Sequence, residues 1–191
     1  MKDKILSILK TYADFYNTST ADMEKNRTDI HKRYSTDFAE TEDKKLTEEY
    51  NEQIKAARES ALKNIETEIS NIKKTLSDRA AENIPEGFAE EYRLLKDVSM
   101  DENEFKAFAE KYKNNYSAAK LLNNLAEQNK LHCKVITLTD KIEALDGITD
   151  KCIKFIETYK GINTSYENEN LLRGNIIPSC FEYTESNIVE L

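Results

Sequence analysis

Apolar residues recur at helical spacing through the first part of the chain, and no Gly or Pro interrupts them before Pro85 and Gly87. Leu9, Tyr16, Met23 and Ile30 stand seven residues apart, with Ile5, Tyr12, Ser19 and Asn26 at the complementary heptad position. This pattern predicts a helix with a coiled-coil seam, widened by Leu6, Ala13 and Phe15. The polar residues Ser19 and Asn26 would weaken that seam while favouring one register. A second run, Leu46, Tyr50, Ile54, Ala57, Ala61, Ile65, Ile69, Ile72 and Leu76, has a mean spacing of about 3.75, too long for a sustained left-handed heptad coil. Between the two runs, Tyr34 to Lys45 loses the pattern. Asp37 followed by Glu40 reads there as an N-cap with its capping-box partner, which predicts a break near Ser35–Thr36. Two helices of roughly 30 and 40 residues would make a hairpin about 45 to 60 Å long, and the competing arrangement is one unbroken helix of about 120 Å.

Pro85-Glu86-Gly87 joins a helix breaker to a φ-permissive residue and marks a boundary. Beyond it, Phe88, Tyr92 and Leu95 fit a short helix, and Ser99 with Glu102 reads as a capping box. Phe105, Phe108, Tyr112, Ala119, Leu122 and Leu125 then fit a second helix, with a bend at Asn114-Asn115. His132 to Leu138 has short-strand character, though it could equally open the next helix. Ile142, Leu145, Ile148, Cys152, Ile156 and Tyr159 continue a helical pattern, weakened by Gly147 and closed by Gly161. The expected architecture is all-α: a long helical arm over residues 1–84 with its break within 35–44, a compact helical domain over 85–161, and an irregular acidic arm over 162–191.

Composition agrees. Of 191 residues 34% are charged, against four Gly, two Pro and no Trp, which suits long helices and argues against sandwiches, barrels and Gly-rich cofactor folds. The formal charge of −8 is uneven, with −2 over residues 1–84 and −6 beyond them, and Arg173 is the one basic residue after Gly161. Yet Leu171, Leu172, Ile176, Ile177, Phe181, Tyr183 and Ile188 make the end of the chain too apolar for a free tail. Ile176, Ile177, Phe181 and Tyr183 are therefore candidates for contact with the rest of the chain or with a protein partner. The run Ile5 to Leu9 is too short for a signal-peptide core or a membrane span, and Cys133, Cys152 and Cys180 are odd in number and widely spaced. Both features point to a reducing cytoplasm, with no membrane contact.

Candidate chemistry is sparse. His31 flanks the seam residue Ile30, and His132 adjoins Cys133, whose side chain cannot face it from the next position of a helix or strand. The cysteine and histidine spacings match no zinc pattern, so buried structural thiols are expected and no metal. There is no phosphate-cradling Gly loop, no H-E-x-x-H and no calcium loop, so neither cofactor nor enzymatic activity is expected. Lys106, Lys111, Tyr112, Lys113, Tyr116 and Lys120 interleave cations with aromatics. Glu104 and Glu110 dilute them and the net charge opposes phosphate attraction, so nucleic acid is not an expected partner.

The segment Ile84-Pro85-Glu86-Gly87, a short helix ending near Leu94-Leu95, then Asp101-Glu102-Asn103-Glu104-Phe105 and Phe108-Ala109-Glu110-Lys111-Tyr112-Lys113-Asn114-Asn115-Tyr116 resembles small proteins of bacteriophages and prophages of low-GC Gram-positive bacteria. The resemblance covers residues 1–130. It implies a long charged helical arm before a compact helical domain, and a role in virion assembly or in the virion itself, with capsid or other virion proteins as partners. Phage scaffolding proteins commonly end in a basic capsid-binding helix, whereas this chain ends acidic. The resulting expectation is a non-enzymatic structural or assembly protein that forms homo-oligomers through Ile5, Leu9, Tyr12, Tyr16, Met23, Ile30, Ile54, Ile65, Ile69, Ile72 and Leu76. The alternative is a monomeric helical module that inhibits or adapts a host protein, its acidic face meeting a basic surface.

Overall fold

A computed structural model describes residues 2–161 and 165–173, and every regular element among them is an α-helix. These are α1 (Lys2–Arg33), α2 (Thr36–Ala80), α3 (Phe88–Leu95), α4 (Glu102–Tyr112), α5 (Tyr116–Gln128), α6 (Leu138–Thr158) and α7 (Tyr166–Leu172). The chain is all-α, as its periodicity predicts. Its first two helices have 32 and 45 residues, about 48 and 68 Å at 1.5 Å per residue.

They form a hairpin. The Tyr34 N–H still donates to the Ile30 carbonyl (3.1 Å), and the Ala39 N–H already donates to the Ser35 carbonyl (2.8 Å), so the reversal takes only two residues. The second helix therefore opens at Ser35 instead of at Asp37. Asp37 lies in its first turn, at the positive end of the helix dipole, while His31, Lys32 and Arg33 occupy the negative end of α1. Partners across the pair stand at matching distances from the turn: Arg27 Nε to Asp43 at 2.7 Å, the Thr20 and Tyr50 hydroxyls at 2.8 Å, and Lys4 to Glu68 at 3.7 Å. Antiparallel register follows.

The chain divides into two compact units whose described residues are 2–68 with 149–161 and 165–173, and 69–148. The division cuts α2 and α6 and does not fall at Pro85. The reason lies in the apolar content of 149–161, which completes the core of the first unit: Cys152, Phe155, Ile156 and Tyr159 are buried, and the Tyr159 ring packs on Tyr12 and Tyr16. Residues 166–172, expected to be irregular, form α7 against α1. The Ser165 hydroxyl caps it by accepting from the Asn168 N–H (3.5 Å), and Leu171 anchors it with 2% of its surface exposed.

In the second unit, Phe88, Phe105, Phe108, Leu122, Leu125 and Val135 are among the core residues, with Phe88 stacked on Phe108 and met edge-on by Tyr112. Asp101, and not Ser99, opens α4. Its carboxylate accepts from the N–H groups of Asn103 and Glu104, and the Glu104 carboxylate accepts from the Asp101 N–H, a complete capping box. Met100 displaces the cap by two residues, because its side chain is buried and its N–H donates to Asn129 Oδ1. At Asn114-Asn115 the chain breaks where a bend was expected. Asn115 caps α5 through the Ala118 N–H and donates its own amide to the Asn83 carbonyl, two bonds that a continuous helix would leave no room for.

His132 to Thr137 pairs with no strand. One side chain holds its middle: Asn123 donates to the Val135 carbonyl (2.8 Å) and accepts from the Val135 N–H (2.7 Å), the two bonds a neighbouring strand would make. The segment ends in a second box, where Thr137 N–H and hydroxyl donate to Asp140 and the Asp140 N–H donates to the Thr137 hydroxyl. Lys134 Nζ reaches the other Asp140 oxygen at 2.5 Å.

Two predictions follow from these local geometries. Lys130 sits at φ 57° where α5 closes, with the Leu131 N–H on the Ala126 carbonyl and the Lys130 N–H on the Glu127 carbonyl, a Schellman pattern that favours Gly. Lys130→Gly should stabilise the protein by about 0.5–1 kcal/mol in urea unfolding. Partial burial pushes the Asp140 carboxyl up, but the bonds from Lys134 and Thr137 outweigh it and hold the group below the ordinary carboxylate value. A folded-state pKa below the unfolded one adds stability that is present above about pH 4 and lost as pH falls further. The advantage of the parent over Asp140→Asn should accordingly be full at pH 7 and shrink through the acid range, read from thermal melts at each pH.

Candidate interaction surface

The residues with reactive side chains are dispersed. His31 and His132 are exposed, Cys133 and Cys152 are buried, and burial pushes the Cys133 thiol up, away from the reactive thiolate. His132 and Cys133 take opposite environments on this segment, one in solvent and one in the core. Among the described residues no group of three or more His, Cys, Asp or Glu side chains is gathered to hold a metal ion, and no helix is long and apolar enough to cross a membrane. The rings that the sequence interleaves with lysines belong to the interior: Tyr112 and Tyr116 are buried, Lys111 pairs with Glu91 and Lys113 with Glu110. Stacking on a nucleobase would require them to leave the core.

The heptad seam is spent inside the chain. Ile5, Leu9, Tyr12, Ile54, Ile65, Ile69 and Ile72 are buried without a second molecule, while Tyr16, Met23, Ile30 and Leu76 are half-buried. Asn26 is exposed and Ser19 half-buried, so register between α1 and α2 comes from other pairs. Thr20 bonds to Tyr50, and Arg27 bonds to Asp43 and to the Thr47 hydroxyl. Toward the closed end of the first unit, Tyr159 meets Tyr12 at 6.3 Å, Tyr16 at 5.5 Å and Phe155 at 5.0 Å between ring centroids, and its hydroxyl accepts from Asn17 Nδ2 at 3.0 Å. Burial, and after it the hydrogen bond with Tyr50, pushes the Tyr16 hydroxyl up. Ile176, Ile177, Phe181, Tyr183 and Cys180 lie outside the described residues.

Two outward features remain on the α1–α2 pair. One is a groove of about 270 Å³ between Ile8, Thr11 and Phe15 of α1 and Ala57, Ser60 and Ala61 of α2, closed further by Ser7, Tyr12 and Asn64. Ala57, Ser60 and Ala61 are too small to fill the space between the helices, which is why the groove exists. Phe15 stands beside it, 39% exposed, and no charged residue lines it. The other is at the turn, where Tyr34 and Phe38 pack at 4.8 Å and each is 49% exposed. Sequence reasoning placed Phe15 in a widened core face and left Tyr34 and Phe38 in the patternless stretch. The small residues at 57, 60 and 61 carried the missing signal, since on one helix face they leave a hollow beside a large residue opposite.

No family model, curated protein or solved structure matches the chain. The fold and these surfaces define it as an all-α protein with a long N-terminal hairpin.

The Tyr159 cluster yields a stability prediction. Tyr159→Ala should cost about 3–5 kcal/mol by removing the ring that three others pack on. Tyr159→Phe should cost about 1 kcal/mol, the bond to Asn17 alone. Urea unfolding followed by circular dichroism measures both.

Proposed function

We propose that this chain works by protein contact and not by chemistry, as an assembly or accessory protein of the virion-associated kind its resemblance implies, acting through self-association and helical binding surfaces. One observation supports the reading above others. The seam of α1 and α2 is satisfied within the chain, yet the same hairpin carries the aromatic residues Phe15, Tyr34 and Phe38 on its outside. Exposed rings cost solvation unless a partner covers them, and aromatic side chains are the usual anchors of protein interfaces.

A second reading, a monomeric module acting on a host protein, gains from the same closure of the seam, because the hairpin needs no second copy to bury it. The acidic balance then supplies attraction to a basic surface.

Affinity capture with the tagged full chain in a prophage-carrying Gram-positive host separates the two. Recovery of capsid or portal proteins, insensitive to salt, is expected from the first reading. Salt-sensitive recovery of one host protein would replace it with the second. In either case Tyr34→Ser with Phe38→Ser should lower recovery at least about tenfold without shifting the melting temperature, as loss of an exposed aromatic anchor does. Unchanged recovery would remove the turn from the binding surface.

A further inference from the structure

We propose that the groove between α1 and α2 is a homodimer contact, in which Phe15 of each copy enters the groove of the other. The inference rests on the self-association part of the function proposed above and names the face that carries it.

The first argument is electrostatic. In a chain with 34% charged residues and a net charge of −8, two copies repel over most of their surface. The groove is lined without a single Asp, Glu, Lys or Arg, and Thr18 and Gln53 continue the uncharged strip one turn further along each helix. The Lys4–Glu68 pair bounds the strip at one end and Asp22 at the other. A basic partner would be expected to meet acidic rims, and a small apolar ligand a deeper, closed pocket. At about 270 Å³ and open to solvent, the groove falls below the usual range for small molecules and suits one inserted side chain.

The second argument is symmetry. A two-fold contact brings one patch against itself, so knob and hole must lie on the same face. Here they do: Phe15 projects beside the hollow left by Ala57, Ser60 and Ala61. The third is an unmet hydrogen bond. Tyr12 forms part of the groove wall, it is 3% exposed, and its hydroxyl has no hydrogen-bond partner among the described residues.

Size sets the strength. From Lys4 to Asp22 the strip runs about 27 Å, and two helices side by side are about 20 Å wide, so each copy contributes about 500 Å². The total of at most about 1,000 Å² stands at the lower limit for a specific interface, which makes the dimer weak and reversible.

The test is sedimentation equilibrium of the full chain from about 5 to about 500 µM, with Phe15→Gln and Ser60→Glu beside the parent, and thermal melts on all three. The parent should pass from monomer to dimer. Both variants should raise the dissociation constant at least about tenfold while melting as the parent does, because both positions face solvent in the monomer. Added salt should leave the parent dimer unchanged or tighten it by screening the like charges. A parent that stays monomeric throughout overturns the inference. So does a dimer that both variants leave intact, or one that salt dissolves, but these two results keep self-association and move it to another surface.

Discussion

Two helices side by side cannot enclose an apolar stripe, so the α1–α2 hairpin depends on a third helical segment arriving from elsewhere in the chain. That segment is the second half of α6, and its decisive contact is the Tyr159 ring set between Tyr12 and Tyr16. The contact fixes which face of α1 is interior. It settles in turn that Phe15 and Ile8 look outward and that the small residues of α2 border a hollow instead of a packed seam. α7 follows from the same event, since Gly161, at φ 99°, turns the chain back beside Asn17 and Tyr16. A side chain in place of the Gly161 hydrogen would have to hold a backbone conformation that L residues rarely adopt.

The second unit is organised differently, by asparagine. Asn115, Asn123 and Asn129 each bind backbone groups distant in sequence: the Asn83 carbonyl, both polar groups of Val135, and the Met100 N–H. Side-chain amides can both donate and accept, so each replaces part of a ladder that the irregular segments lack. The helices supply the apolar core and these amides fix the connections.

Much of this was legible from spacing alone. The helix type, the break near Ser35–Thr36, the short α3 and the continuation of α6 through Gly147 follow from periodicity and breakers, whereas the choice between a hairpin and one unbroken helix stayed open. What eluded it were competitions between local and distant partners. Ser99 is a sound cap by pattern, and loses to Asp101 because Met100 is drawn into the core. His132 to Leu138, read as having short-strand character, forms no strand: Leu138 opens α6, and Asn123 satisfies both backbone groups of Val135 in place of a neighbouring strand. The eleven residues proposed for joining copies were correctly read as apolar, and seven of them are buried within one chain. Periodicity reveals a face to be covered. It does not say which segment covers it, so the Tyr159 contact was not foreseeable.

The interleaving of the two units has a consequence for synthesis on the ribosome. The described residues of the second unit run without interruption from 69 to 148, so the core they form can assemble as soon as they emerge. The first waits for Phe155 and Tyr159, which follow the end of α1 by well over a hundred residues. At about 5–20 residues per second that is a delay of about 6–25 seconds, with Ile5, Leu9 and Tyr12 lacking their third helix. During that interval nascent chains on one message present identical half-covered stripes to one another. The charged residues that crowd the rest of both helices then serve as spacing devices, holding neighbouring chains apart until each can close on itself.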